Sequence, residues 1–250
     1  MKSILDKITV LYEDDDAIAI NKPAGLVVHS DGKREETTLT DWIDKNYPES
    51  KGVGEPLILS NSDVIERSGI VHRIDRETSG IMLIAKNQLA FLSLKKQFQD
   101  RAVNKIYHAF VYGEMKDDEG VINRPIGRSK KDFRQWSAQR GARGAMREAV
   151  THYRVIAKGG GFSFVEAIPK TGRTHQIRVH FKAINYPIVS DSLYAPKKEK
   201  ALGFDRLALH SHSIEFDLLN GKRIKIIAPH PDDFKRALSL TEDAYKPKRI

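Results

Sequence analysis

A carboxylate flanked by arginines is the feature of this chain with the clearest capacity for chemistry. Residues 72–80 read His-Arg-Ile-Asp-Arg-Glu-Thr-Ser-Gly, which places Asp75 between Arg73 and Arg76. Neighbouring cations favour the ionised form of a carboxyl group, so we expect Asp75 to be charged at neutral pH. A positioned carboxylate can act as a nucleophile or as a base. The alternative is an ion-pair cluster on a surface loop, and local chemistry alone favours that alternative.

A second chemical segment is basic and leads into a predicted helix. Residues 170–180 read Lys-Thr-Gly-Arg-Thr-His-Gln-Ile-Arg-Val-His, and their pattern predicts a helix over 174–184. Basic turns and helix N-termini suit phosphate groups. Arg178 is expected one turn beyond Thr174 on the same helix face. For a single arginine on a helix, however, a solvated charge is the more common role.

A tyrosine in a predicted strand is a third candidate. Lys105-Ile106-Tyr107 begins an alternating segment over residues 105–113, so Tyr107 faces the side opposite to Ile106. An aromatic ring can stack on a base that has left its helix. Taken alone, a strand tyrosine is more often a packing residue.

Positive charge is concentrated in residues 124–147, the basic segment. The segment has one acid, Asp132, against eight basic residues: Arg124, Arg128, Lys130, Lys131, Arg134, Arg140, Arg143 and Arg147. It also contains Phe133, Trp136 and three glycines. Cations, aromatic rings and glycine together are typical of elements that follow phosphates and stack on bases. We therefore predict that the segment is a loop that contacts nucleic acid rather than a solvated hairpin.

The composition excludes several classes of protein. The chain has 250 residues, a net charge of +9, 40% hydrophobic residues, 30% charged residues and no cysteine. Disulfides and thiolate chemistry are therefore excluded, and the basic balance favours an anionic partner. No apolar run is long enough for a membrane span, and the N-terminus lacks a signal-peptide pattern, so we expect a cytoplasmic protein.

Nine histidines raise the question of a metal site. His210 and His212 could share a strand face, whereas His175 and His180 would point apart on a helix. No carboxylate or cysteine completes either pair at the spacing of a zinc site, so we expect no metal. The chain also lacks P-loop and dinucleotide-binding motifs, so we expect no cofactor.

Hairpins alternate with a few helices along the chain, which predicts an α+β protein with a mostly antiparallel sheet. Predicted strands cover residues 8–12, 17–21, 26–29, 70–71, 81–85, 105–113, 121–126, 149–157, 162–168, 207–218 and 223–228. Predicted helices cover residues 40–45, 87–101, 174–184 and 231–240. The turns at 158–161 and 220–221 carry strong hairpin signals.

Five segments in order resemble one enzyme family. Residues 72–80 resemble the HRLD-x-x-TSG signature of the RluA-type pseudouridine synthases, with Ile74 where leucine is usual. The other four segments resemble the elements NKPxGxxVH, KxY, GRxHQIRxH and D-x-x-Y, at residues 21–29, 105–107, 172–180 and 191–194. Because of Thr174, residues 172–180 are one residue longer than the shortest form of the GRxHQIRxH motif. Five ordered motifs are far more specific than any single one.

The resemblance implies a single catalytic domain over residues 1–250, without the N-terminal S4-type domain of many relatives. It implies a mixed, mostly antiparallel sheet with a central catalytic cleft and flanking helices. The expected activity is conversion of uridine to pseudouridine in structured RNA, either tRNA or rRNA, by a monomer that uses no cofactor.

The resemblance also implies roles for individual residues. Asp75 would be the essential carboxylate, Tyr107 would stack on the flipped base, and Arg178 rather than Arg76 would pair with Asp75. Arg73 would take the place that the base leaves. The predicted substrate contacts are His72, Arg73, Arg76, Thr78, Arg173, His175, Ile177, Arg134, Trp136, Arg140 and Arg143. Two alternatives are a non-catalytic RNA-binding protein and a hydrolase or metal enzyme that uses Asp75 with histidines.

Overall fold

A computed structural model describes residues 3–29, 36–58, 64–65, 67–139 and 142–242. The chain divides into two compact units. Unit 1 consists of the described residues of Met1–Asn104 together with Ser211–Pro229, and unit 2 of those of Lys105–His210 together with His230–Ile250.

The described residues form fourteen strands and four α-helices. The strands are β1 Thr9–Glu13, β2 Ala17–Lys22, β3 Leu57–Ile58, β4 Val64–Ile65, β5 Ser79–Ala85, β6 Asn104–Tyr112, β7 Glu119–Asn123, β8 Ile126–Arg128, β9 Trp136–Ser137, β10 Arg143–Arg147, β11 Val150–Gly159, β12 Phe162–Pro169, β13 Leu209–Asp217 and β14 Arg223–Ile227. The helices are α1 Leu39–Asn46, α2 Gln88–Gln99, α3 Gln176–Ala183 and α4 Asp232–Glu242. None of the described helices is long and apolar enough to cross a membrane.

Unit 1 has the strand order β1-β2-β5-β13, with β14 paired to β13. The pairs β1–β2, β2–β5 and β13–β14 are antiparallel. Every residue of β5 is buried, because its apolar run packs on both faces. Phe91 and Leu94 of α2 pack with Leu83 of β5 in one cluster, which makes this strand the centre of the unit-1 core.

Unit 2 has the strand order β6-β12-β11-β7, and all of these pairs are antiparallel. A separate three-stranded antiparallel sheet has the order β10-β8-β9. Phe110 of β6 packs on Phe164 of β12 and on Phe234 of α4, with ring centroids 4.8 and 5.6 Å apart. The mixed α+β class with mostly antiparallel pairing is therefore confirmed.

Local signals account for most elements. Asn87 caps α2 by accepting a hydrogen bond from Ala90 N, and Thr38 caps α1 with the reciprocal partner Asp41. The predicted hairpins formed by β1–β2, β11–β12 and β13–β14 are present within one or two residues of their predicted ends.

Four predictions about elements were wrong. Residues 26–29 form no strand, since only Val27 makes an isolated bridge, and residues 70–71 likewise make only the bridge at Ile70. Helix α3 begins at Gln176, not at Thr174. The basic segment is not a single loop, because it contains β8, β9 and β10.

Candidate functional site

The turn that carries Asp75 is held by hydrogen bonds within unit 1. Asp75 O accepts from Thr78 N at 3.1 Å, which closes the turn, and the Asp75 side chain is half-buried. His72 Nε2 accepts from Leu83 N at 2.9 Å, and the His72 ring stacks on Phe98 at 4.6 Å. The turn is thus tied to β5 and α2, which are the core elements of the unit.

Arg76 is directed to another carboxylate. Its guanidinium donates to both oxygens of Glu36, at 2.6 and 2.7 Å. The pair is solvent-accessible, so it contributes little to stability. The carboxylate of Glu36 is therefore one partner of Arg76.

Glycine is required at the end of this turn. Gly80 has a φ of 111°, and a Cβ there would overlap the carbonyl oxygen of Ser211 on the adjacent strand. Thr78 and Ser79 before it are buried. The position of the turn is therefore set by a close backbone approach that no larger residue allows.

A buried lysine joins two loops at this turn. Lys22 is fully buried, and its ammonium donates to the carbonyl oxygens of Pro23, Leu26 and Arg76 at 2.9, 2.8 and 3.1 Å. Gly25 N also donates to Arg76 O at 2.8 Å. Residues 23–26 and the Asp75 turn are therefore fixed relative to each other by one cation.

Arg73 lies beside a histidine. Its side chain is exposed, and its Nη1 lies 3.4 Å from His29 Nε2. Burial, followed by the charges of Arg73 and Arg67, lowers the pKa of His29 from 6.5 to about 4. His29 is consequently neutral at physiological pH and lies in a positive environment.

Helix α3 presents Arg178 in a rigid arrangement in unit 2. Its Nε and Nη2 donate to the two oxygens of Asp191, each at 2.8 Å, and its guanidinium lies 4.9 Å from the centre of the Tyr194 ring. Asp191 Oδ1 also accepts from the backbone N of Leu193 and of Tyr194, both at 3.0 Å. The side chains of Arg178 and Asp191 are 10% and 0% exposed, so this is a buried, bidentate ion pair.

Tyr194 connects α3 to the basic segment. Its hydroxyl accepts from Trp136 N at 2.9 Å and lies 2.8 Å from His175 Nδ1. His175 has a φ of 55° and precedes the first helical residue, so the helix starts after a left-handed residue. Gln135 Nε2 adds a hydrogen bond to Leu193 O at 2.7 Å. These contacts dock β9 on the turn that contains Asp191.

The start of α3 is organised by Gln176. Its amide oxygen accepts from Thr171 Oγ1 at 2.7 Å and from Arg173 N at 3.0 Å, and its amide nitrogen donates to Val150 O at 3.0 Å. Arg173 Nε donates to Glu148 O at 2.9 Å. Ile177 is buried on the same helix. Arg173, by contrast, is partly exposed.

Tyr107 lies on β6 opposite Ala167 of β12 and is 9% exposed. Lys105, two residues earlier, faces the same side of the strand. Burial lowers the pKa of Lys105 below its usual value of 10.5. The ring and the ammonium thus lie in a largely desolvated part of unit 2.

The basic segment presents exposed cations and one exposed ring. Phe133 is 83% exposed, whereas Trp136 is half-buried with the Arg128 guanidinium 4.4 Å from its ring centre. Arg134 donates to Asp132, and this lowers the pKa of Asp132 to about 2. All residues of β10, including Arg143, are exposed. Arg140 lies outside the described residues.

The structure thus gathers the predicted residues into two sets. His72, Arg73, Asp75, Arg76 and Thr78 share one turn of unit 1. A larger group in unit 2 comprises Tyr107, Arg134, Trp136, Arg143, Arg173, His175, Ile177 and Arg178. The convergence of Asp75, Tyr107 and Arg178 in one cleft stays a prediction.

Three contributors were not predicted from the sequence. Asp191 and Tyr194 belong to the D-x-x-Y element, which could have indicated a partner for Arg178, and Lys22 belongs to the NKPxGxxVH element. Apart from these two motifs, nothing in the sequence separates the three residues from ordinary polar residues.

Residues 16–183 match the family described as RNA pseudouridylate synthase. The chain is 37% identical over 230 residues to an uncharacterised RNA pseudouridine synthase of Synechocystis sp., a match that covers 92% of this chain and 67% of the relative. It is 35% identical over 232 residues to the ribosomal large subunit pseudouridine synthase D of Borreliella burgdorferi, with 93% and 68% covered. Among solved structures, human RNA pseudouridylate synthase domain containing 4 matches with a TM-score of 0.72 at 23% identity, covering 93% of this chain and 92% of that one. At this identity the structural match concerns the fold.

Proposed function

We propose that this chain, which belongs to the RNA pseudouridylate synthase family, uses Asp75 as the essential carboxylate for its reaction. Enzymes of this family isomerise uridine in RNA to pseudouridine, and the chain is an RNA pseudouridine synthase. The observation that carries the assignment of Asp75 is its place in the family match. The matched residues 16–183 include Asp75, Tyr107 and Arg178, each in the motif that the family resemblance requires.

The reaction moves a glycosidic bond without any change of oxidation state. The N1–C1′ bond breaks, the uracil turns, and a C5–C1′ bond forms while the proton on C5 is lost and N1 gains one. Asp75 acts at the sugar, either by attack on C1′ or by removal of a sugar proton. Tyr107 stacks on the extruded base and assists removal of the C5 proton.

The geometry around Arg178 supports a positioning role. Two of its nitrogen atoms are committed to Asp191, and Tyr194 covers its guanidinium plane. A guanidinium held in this way has a fixed direction for its remaining N–H groups, which lowers the entropic cost of orienting a carboxylate. The pairing of Arg178 with Asp75 remains a prediction.

The basic segment would hold the RNA. Its exposed cations neutralise phosphates, and contacts of this kind offset the cost of extruding a base, which is a few kcal/mol. Phe133 is the ring of this segment that solvent reaches best, since Arg128 covers Trp136. We therefore assign the base-stacking role in this segment to Phe133, with Arg134 and Arg143 as phosphate contacts.

The first substrate to test is large-subunit ribosomal RNA. Four relatives at 35–37% identity are named ribosomal large subunit pseudouridine synthase D. Transfer RNA is the second substrate to test, because both are structured RNAs with unpaired uridines.

The assignment of Asp75 is tested with purified protein and RNA from cells that lack the gene. Asp75→Asn keeps the shape of the side chain and removes its charge, so pseudouridine formation should fall to background while RNA affinity stays near that of the wild type. Asp205→Asn is the matched control, because Asp205 is an exposed carboxylate of unit 2. Pseudouridine is mapped in the RNA after incubation, and affinity is measured by fluorescence anisotropy.

Two outcomes would contradict this proposal. Normal product formation by Asp75→Asn would remove Asp75 from the chemistry. Product formed only in transfer RNA would remove the ribosomal substrate and leave the reaction intact.

A further inference from the structure

We propose that His29, Arg67 and Arg73 form a binding site for one phosphate group of the RNA backbone. The inference rests on the proposed function, because RNA supplies the phosphate. It adds two residues, His29 and Arg67, to the predicted substrate contacts, and it gives Arg73 a defined ligand.

The first observation is a collection of like charges. Arg73 Nη1 lies 3.4 Å from His29 Nε2, and the charges of both Arg73 and Arg67 act on the His29 ring. Within the described ranges, neither arginine forms an ion pair with a carboxylate. Two guanidinium groups near one imidazole repel each other, and a protein keeps such an arrangement at a cost in stability.

The second observation concerns hydrogen-bond donors. A guanidinium can only donate, so His29 Nε2 must accept from Arg73, and the proton of the neutral ring is then on Nδ1. His29 Nδ1 is buried and has no hydrogen-bond partner, and the same is true of Arg67 Nε. Buried donors without acceptors are rare in folded proteins, because each costs free energy. What this cluster lacks is an acceptor with several lone pairs.

A phosphodiester group provides that acceptor. Its two unbridged oxygens carry a negative charge and can accept from an arginine fork and from an imidazole N–H at the same time. Arg73 is two residues from Asp75, so a phosphate held by Arg73 belongs to the nucleotides next to the reacting uridine. The site would therefore set the position of the sugar relative to the carboxylate.

A phosphate-binding arginine and a structural arginine differ in how their removal changes the stability of the free protein. Removing Arg67 relieves repulsion in the free protein, so Arg67→Gln should leave its stability unchanged or raise it while weakening RNA binding. A structural arginine would lower stability on the same change. Lys51→Gln is the matched control, because Lys51 is an exposed cation of unit 1.

The test measures binding of a fluorescein-labelled uridine dodecamer as a function of salt, together with urea unfolding. We expect Arg67→Gln to bind about 10-fold more weakly, and the slope of log affinity against log salt to fall by ~0.7, the value for one phosphate contact on a single strand. Lys51→Gln should change neither quantity. An unchanged slope in Arg67→Gln, or a loss of stability together with affinity, would overturn the proposal.

The His29 ring gives an independent readout by NMR. In the Asp75→Asn variant, which we expect to bind RNA without turnover, bound phosphate should raise the pKa of His29 above about 4. Inorganic phosphate at the same phosphate concentration should raise it much less. If inorganic phosphate alone produces the whole rise, the site binds a free anion and the assignment to RNA is wrong.

Failure of this inference can be distinguished from failure of the proposed function. A protein that makes pseudouridine while Arg67→Gln keeps the full salt slope would refute only the phosphate site. A protein that makes no pseudouridine but shows the reduced slope would refute only the catalytic assignment.

Discussion

Removal of Asp191 should destabilise unit 2 strongly, because it leaves a buried guanidinium without its counter-charge. Asp191 has a fully buried side chain and accepts four hydrogen bonds, two from Arg178 and two from the backbone. Breaking a buried ion pair by deleting one partner costs about 3–5 kcal/mol. For a chain of this size that corresponds to a fall in Tm of roughly 6–20 °C, at ~2–4 °C per kcal/mol.

The assay can be restricted to the unit that contains the pair. The chain has two tryptophans, Trp42 on α1 in unit 1 and Trp136 on β9 in unit 2. In a Trp42→Phe background, intrinsic fluorescence reports the surroundings of Trp136 alone. Urea unfolding of Asp191→Ala in that background then measures the loss in unit 2, even if the two units unfold separately.

Two comparisons make the reasoning refutable. Asp205→Asn removes an exposed carboxylate that pairs with Lys200 and should hardly change the unfolding midpoint. The double variant Arg178→Met/Asp191→Leu replaces the pair by apolar groups and should be more stable than Asp191→Ala. If Asp191→Ala costs less than about 1 kcal/mol, or if the double variant is the least stable of the three, Asp191 does not anchor Arg178.

Three further predictions concern unit 1 and the basic segment. Gly80→Ala should lower the free energy of unfolding by about 3 kcal/mol or more, because the new Cβ would overlap the Ser211 carbonyl and the positive φ would be strained. Gly221→Ala is the control: its φ is also positive, but the space around it is open, so it should cost only about 1–2 kcal/mol. The pKa of His29 is about 4 in the folded protein, whereas the unfolded chain binds this proton near pH 6.5. The free energy of unfolding should therefore decrease as the pH falls from 6.5 to 4. A His29→Gln variant with an unchanged pH dependence would contradict this. Phe133→Ala should weaken binding of single-stranded RNA about 10-fold with no change in the unfolding midpoint, since the ring is exposed in the free protein, and equal affinities would remove it from the interface.

Elements with strong local signals were predicted well. Helix α2 has a capping side chain in Asn87, the residue before it, and apolar residues at helical spacing within it, so both signals are local. Gly221 has a φ of 79° in the turn between β13 and β14, which Leu218 N closes by donating to Lys222 O at 2.9 Å, so the glycine supplies the left-handed residue of this hairpin. In both cases the decisive interactions connect residues that are close in sequence.

The predictions that failed depended on distant partners. Residues 26–29 have the composition of a strand, but the segment pairs only through Val27, whose bridge partner is Thr38, eleven residues further along the chain. Thr174 resembles a helix cap, yet α3 starts two residues later, where Gln176 is fixed by Thr171 and by the backbone of β11. Sequence periodicity contains no information about such contacts.

Some residues of the candidate site could be identified from sequence motifs, and others only from the folded structure. Motif resemblance identified Asp75, Tyr107 and Arg178 as candidates, because the motifs are short and ordered along the chain. It did not identify Asp191 as the partner of Arg178, thirteen residues away in sequence, or the cluster of His29 with Arg67 and Arg73. Burial and hydrogen-bond geometry are needed to recognise both.

The buried Lys22 makes the Asp75 turn observable from the outside. An amine that is fully buried and bound to three carbonyls cannot react with an acylating reagent until those bonds open, whereas the exposed lysines react at once. The rate at which Lys22 becomes labelled therefore measures how often residues 23–26 and the Asp75 turn separate. Slower labelling in the presence of RNA would show that substrate closes this part of the enzyme, and mass spectrometry of the peptide containing Lys22 would record it.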